Sequence, residues 1–406
     1  MKNRYFLVSS LLLSNFFSNG QSIDTTSSIQ VNKTEVELLY NHYIQSGNNS
    51  AITGGIGTEQ LSVYGPSISV KKSFGLNAIK FQLGTDVVSS ASADNIDSVV
   101  SSVSKLDART YANIGYERTL EKNQITLSVG SGISLESDYS SLGTFLGGSF
   151  TAKDKMQTYS LDLQMFNDDL RWGRLNPQTG HKPVYLIYPE ELRFQEWYDT
   201  YKRNSYNAIF GYSQVINERN VFGISGILSF QEGLLETPFH RIYFNDATLA
   251  VEQLPPERYK GTLAFKLNSF VSGNTIVKNS VSGYADNFGI KGVALEHETA
   301  LKLNSKWTLY GNARYYNQSS SMYFAGYMQH DPNQDFYTSD YDLSAFNTLK
   351  IGIGAKLSPY TYTKYNTRFD TAVLKYNYYR RSNNLDAHMM SLSINTSKLK
   401  KRKRRH

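Results

Sequence analysis

From residue 34 to residue 397 the chain repeats one unit, a dozen or so residues of alternating apolar and polar character followed by a turn. In 79–87, Ile79, Phe81, Leu83, Thr85 and Val87 fall on one face, opposite Lys80, Gln82, Gly84 and Asp86. In 158–165, Tyr159, Leu161, Leu163 and Met165 oppose Thr158, Ser160, Asp162 and Gln164. Near the end, Leu349, Ile351, Ile353, Ala355 and Leu357 oppose Lys350, Gly352, Gly354 and Lys356. A period of two is the mark of a strand with one apolar face. The pattern predicts sixteen strands, near 34–46, 59–72, 77–90, 107–119, 124–137, 140–152, 156–168, 203–216, 220–232, 259–270, 274–287, 292–303, 306–318, 344–357, 363–378 and 386–397.

The connections alternate as well. Short, turn-rich ones lie at 72–76, 120–123, 153–155, 217–219, 271–273 and 304–305, and long ones at 47–58, 91–106, 169–202, 233–258 and 319–343. Long strands, an even strand number, tight turns at one end and free loops at the other are what a sheet closed in a lipid bilayer requires. The predicted fold is therefore all-β, a transmembrane antiparallel β-barrel over residues 34–397. Its termini and short turns are expected on the periplasmic side and its long loops outside. Aromatic girdles at the headgroup level follow from the same expectation. The candidates are Tyr40, Tyr43, Trp172, Trp197, Tyr198, Tyr201, Tyr315, Tyr316, Tyr378 and Tyr379.

Composition agrees. Hydrophobic residues make up 40% of the chain and the mean hydropathy is −0.42, too polar for membrane helices and as expected where apolar residues occupy alternate positions. Residues 1–20 read as a secretory signal, with Lys2 and Arg4, an apolar stretch from Tyr5 to Phe17, and Ser18-Asn19-Gly20 as the cleavage site. Residues 21–33 then form a periplasmic N-terminal segment. The chain has no cysteine, which excludes disulfides and thiolate metal sites. The formal charge of +7 lies in the tail 398–406, where seven basic residues occupy the eight positions from Lys398 to Arg405. The rest balances to zero, so no nucleic-acid partner is indicated; the tail suits an anionic periplasmic partner.

Several blocks are distinctive: Leu38-Leu39-Tyr40-Asn41-His42-Tyr43, Thr53-Gly54-Gly55-Ile56-Gly57-Thr58-Glu59, Asp86-Val87-Val88-Ser89-Ser90-Ala91-Ser92, Asn95-Ile96-Asp97, Leu254-Pro255-Pro256-Glu257-Arg258 and Arg314-Tyr315-Tyr316-Asn317-Gln318. The most specific is Phe336-Tyr337-Thr338-Ser339-Asp340-Tyr341-Asp342-Leu343-Ser344-Ala345-Phe346. In these blocks the chain resembles a bacterial outer-membrane family known as domain of unknown function 3570. The resemblance implies an outer-membrane barrel of Bacteroidota type, often encoded beside a flavin transferase and a thioredoxin-like protein. It implies no settled activity. One departure is the C-terminus, where Ser397 leads into the basic run instead of a closing aromatic residue.

Chemistry-bearing constellations are weak. No histidine sits in a nucleophile motif, and His297 and Glu298 are neighbours in a strand, which sends them to opposite faces. Proteolysis by paired acids would need Asp–Asp and Asp–His sets at the outer rim, and Asp168-Asp169, His330 and Asp331 lie near the outer side. Asp94, Asp97 and Asp107 match no calcium-loop spacing, and His388, Met389 and Met390 split across a strand. No catalytic residue, cofactor or metal site is expected. Gly54-Gly55-Ile56-Gly57 opens no helix and reads as a loop with positive backbone dihedrals. Asp86, Asp162, Arg314 and Lys375 are expected to line a lumen. The function expected is a pore or transporter for a small polar or redox-related cargo. The alternative is a non-conducting scaffold docking redox or surface partners.

Overall fold

The computed structural model describes residues 32–90, 106–120, 124–136, 139–170, 202–237, 240–363 and 367–399. The signal segment, Asp94, Asp97, the four aromatics Trp172, Trp197, Tyr198 and Tyr201, and the tail beyond Leu399 lie outside the described residues, as does the side chain of Asp107.

Among the described residues there are nineteen strands: β1 Lys33–Gly47, β2 Leu61–Phe74, β3 Asn77–Ser90, β4 Leu106–Leu120, β5 Ile125–Leu135, β6 Ser140–Thr151, β7 Gln157–Asp169, β8 Lys202–Asn217, β9 Asn220–Gly233, β10 Arg241–Tyr243, β11 Leu249–Val251, β12 Glu257–Ser272, β13 Thr275–Asp286, β14 Lys291–Lys302, β15 Trp307–Gln318, β16 Phe346–Leu357, β17 Thr361–Tyr362, β18 Arg368–Arg381 and β19 Leu385–Leu399. Sixteen of them make one antiparallel ring. Each pairs with the next, β9 with β12 and β16 with β18, and β1 closes on β19 from Lys33↔Leu399 to Gly47↔Leu385. No wall edge is left unpaired, which is the condition for a sheet in hydrocarbon. β10 and β11 form a separate hairpin, and β17 pairs two residues of β18.

The alternation dictates the two faces. Outward positions carry the apolar series, with Leu228 60% and Ile353 69% exposed in mid-wall. Two aromatic stacks mark the ends of this band. Phe150, Tyr159 and Tyr212 stack with centroids 6.3 and 5.0 Å apart near the short-turn end, and Tyr206, Phe230 and Tyr259 with 6.0 and 4.8 Å near the other. Tyr206 and Tyr212 share β8, so the stacks are separated by about 20 Å along the strand. Three of the tight turns are built by side chains: Asp154, Asn217 and Asn304 each accept a hydrogen bond from the backbone N–H two residues on.

Three expectations need correction. The short turns do not all lie at one end. The connections 136–139, 287–290 and 382–384 are tight yet lie on the long-loop side, and 358–367 on the short-turn side is longer than its companions. The fifteenth ring strand runs 368–381 rather than 363–378, because the chain first turns back after β17 so that Arg368 and Phe369 pair with Tyr362 and Thr361. Tyr43, Tyr316 and Tyr379 are not girdle residues. Each sits beside an outward neighbour and so points inward, where Tyr43 and Tyr316 donate to Gln45 and Gln318.

Candidate functional site

At the long-loop end, three loops fold together: 48–60, 234–256 and 319–345. The second carries the β10–β11 hairpin. The third carries a single 3-10 turn over Tyr341–Leu343, capped by Asp340, whose side chain accepts from the Asp342 N–H at 2.9 Å. The loops are joined by main chain. Gln253 and Tyr337 exchange N–H···O bonds of 3.2 and 2.8 Å, and Asn245 N donates to the His330 carbonyl at 2.9 Å.

Side chains tighten this junction. Glu252 is 2% exposed and accepts from Thr338 Oγ1 at 2.5 Å and from Thr237 N at 2.7 Å. His240 Nδ1 lies 3.3 Å from the same carboxylate. Ser339 and Asp340 are buried beside them, and the Asp340 N–H donates to Thr338 Oγ1 at 3.0 Å. Burial pushes the Glu252 carboxyl up, but His240 together with the Thr338 and Thr237 donors holds it below the usual carboxylate range. Asp340 is raised by burial and by the nearby Asp342 and Glu252 carboxylates. Glu236 is pushed up to about 7 by burial, with Glu252 adding to the effect.

The glycines of 54–57 fit here for a steric reason. Gly54, Gly55 and Gly57 have φ of 77°, 90° and 81°. A Cβ on Gly54 would meet the Tyr243 ring at 2.6 Å, and one on Gly55 would meet the Tyr341 ring at 2.9 Å.

This loop body is anchored to the inward face of the wall. Arg381 Nη1 pairs with Asp342 at 2.6 Å and its guanidinium lies 3.8 Å over the Phe346 ring. Gln318 donates to the carbonyls of Asp342 and Ser344. Arg258 pairs with Asp286 at 2.5 Å and covers the Phe288 ring at 4.4 Å. An apolar cluster of Leu235, Leu254, Phe288, Ile290 and Leu343 fills the space behind. The loops thus turn into the barrel mouth on the side running from β9 round to β2.

Below them, the inward face carries the candidate lumen residues. Asp86, Asp162, Arg314 and Lys375 alternate with exposed apolar neighbours and project inside. The structure brings Arg314 and Lys375 to one wall and keeps Asp86 and Asp162 on the facing one. Arg314 Nε lies 2.7 Å from Glu296, and Lys375 Nζ 3.1 Å from Glu298. Asp86 lies 3.7 Å from Arg109, whereas Asp162 has no ion pair among the described residues. Several of these side chains lie over a glycine of the adjacent strand. A Cβ at Gly65 or Gly147 would overlap the Asp86 or Asp162 carboxylate, and one at Gly354 would come within 2.8 Å of Lys375 Cγ.

The remaining constellations find ordinary partners. Asp168 is held by Arg203 at 2.8 Å and by the Tyr139 hydroxyl. His330 is held by the Thr338 carbonyl and Gln334. His297 points outward to Asn279 and Thr299, away from Glu298. Among the described residues no three histidines or carboxylates gather as a metal site. The Glu252–Thr338–His240 junction was not foreseen. Its signal was the density of hydroxyls and carboxylates in 336–346 beside aromatic residues.

The family model described as "Protein of unknown function (DUF3570)" matches residues 99–391. The chain belongs to that family. No curated protein matches it in sequence. Among solved structures it is similar to a bacterial polysaccharide outer membrane secretin, at 11% identity and TM-score 0.46, covering 91% of this chain and 98% of that one. It is also similar to the outer membrane protein opdK from Pseudomonas aeruginosa, at 9% identity and TM-score 0.40, covering 90% and 99%. A BenF-like porin from Pseudomonas fluorescens Pf-5 matches at 10% identity and TM-score 0.40, covering 90% and 98%. Within the family-matched span, the blocks at 254–258 and 336–346 both build the loop body.

Proposed function

We propose that this protein is an outer-membrane channel that passes a small polar or redox-related cargo, with the loop body at its mouth as the gate. The observation that carries this reading is the polar, charged inward face of a closed ring whose outward face is apolar. Asp86, Asp162, Arg314 and Lys375 would line the path. Charges of both signs on facing walls orient a polar solute during passage. The redox character of the cargo rests on the family's resemblance alone, and the basic tail would dock a periplasmic partner. The second reading, a non-conducting scaffold for redox or surface partners, draws on the three loops packed into the mouth. Planar-bilayer recording of the purified protein decides between them. Stable conductance steps support the channel; silence from protein with full strand content supports the scaffold.

A further inference from the structure

The inward face of β13 to β18 carries more positive charge than its own acids neutralise. Lys278, Arg314, Lys350 and Lys375 stand against Glu296 and Glu298, a further inward acid of these strands, Asp286, being taken by Arg258 of β12. Glu298 serves both Lys278, at 2.9 Å, and Lys375, at 3.1 Å. Arg314 takes Glu296, and Lys350, directly beside Arg314 in the β15–β16 register, forms no ion pair among the described residues. Lys375 also lies 4.9 Å over the Tyr310 ring. Gly352 leaves the wall bare at the centre of this group. A Cβ there would lie 2.7 Å from Asn312 Nδ2 and overlap Asn377 Oδ1, so an amide donor from one side and a carboxamide oxygen from the other converge on the spot.

In the ring order, β13 to β18 face β3 to β7. There the described inward side chains Lys80 and Arg109 are outnumbered by Asp86, Glu117, Asp162 and Asp168. The lumen is therefore crossed by a field, and its positive side also offers the Asn312 amide donor. Cations with neighbouring N–H donors are the chemistry that takes up an oxyanion.

We propose that the wall formed by Lys278, Arg314, Lys350 and Lys375, with the Asn312 amide, is a selection site for small oxyanions, carboxylate or phosphate. The proposal rests on the channel reading for passage but not for binding. Partly hydrated lysines on an exposed wall attract an anion without trapping it, which is the condition for transit.

The test is the reversal potential of the purified barrel under a potassium chloride gradient. Chloride is expected to permeate about threefold or more over potassium. Lys350→Glu with Lys375→Glu is expected to turn the preference toward potassium, and Lys350→Arg with Lys375→Arg to keep it. Succinate and inorganic phosphate, added separately, are each expected to reduce the chloride current, and the stronger of the two identifies the class. A wild-type preference for potassium, or one unmoved by the glutamates, overturns the site while leaving the channel standing. A silent barrel overturns the channel, and the site is then read by calorimetric titration in micelles. Binding of succinate or phosphate that the glutamate pair abolishes upholds it; heat from neither anion overturns it.

Discussion

Thr338 donates its hydroxyl to Glu252 Oε1 at 2.5 Å, joining residues 86 positions apart in the chain. The two lie in different loops, and Thr237 N and His240 complete the surroundings of the same carboxylate. Glu252→Ala leaves a buried imidazole and two donors without their acceptor. The expected loss is about 3–5 kcal/mol of local stability in the loop body. Hydrogen exchange should rise in 240–256 and 330–345 while the wall strands keep their protection. Unchanged exchange in both loops would contradict the junction.

The same carboxylates set a pH window. Glu236, raised to about 7, and Asp340, also raised, contribute stability that is complete below the ordinary carboxyl range. That contribution is lost as pH climbs through their folded values. Glu252 is shifted down, so its contribution is present above the ordinary range and lost as pH falls through its folded value. The loop body is thus tightest in mild acid. Exchange corrected for intrinsic rate should increase from about pH 5.5 to about pH 8.5 in these loops. A flat profile would remove the carboxylates from any gating role.

Gly54→Ala places a Cβ on a backbone with φ of 77° and 2.6 Å from the Tyr243 ring. A cost of about 1–3 kcal/mol is expected, confined to the contact between 48–60 and the hairpin. Protease sensitivity of the hairpin is the readout. Gly75, also at positive φ but with open space around it, should lose less on the same change.

Ile353→Arg puts a charge on the outward face at mid-wall. Depth-dependent costs for such residues are about 2–4 kcal/mol, so urea unfolding in lipid should shift by that amount. Lys350→Ala, three residues away but inward, should shift it far less. Equal effects would mean that the two faces are exchanged.

The ring was legible because one rule governs each strand, a face in oil and a face in water, and it leaves a period in the residues. Most predicted bounds fall within two residues of the observed ones; β18 departs because it starts only at Arg368, where it pairs back on Thr361–Tyr362, and runs on to Arg381. Adjacent aromatics misled for the same reason in reverse. Tyr315 and Tyr316 look alike in a string, yet only one of any neighbouring pair can reach the headgroups. The loop body left no period at all. Gly54, Glu252 and Thr338 meet only once the ring has brought their strands side by side.

The seam between β1 and β19 pairs residue 33 with residue 399 and residue 47 with residue 385. The first strand of the ring must therefore wait, the amides of that edge unclaimed, until nearly the whole polypeptide is present. Closing contacts this distant in sequence form slowly and leave a strand edge exposed in the meantime. Removing the last fifteen residues of the wall would not shorten an appendage; it would leave the vessel open along its length.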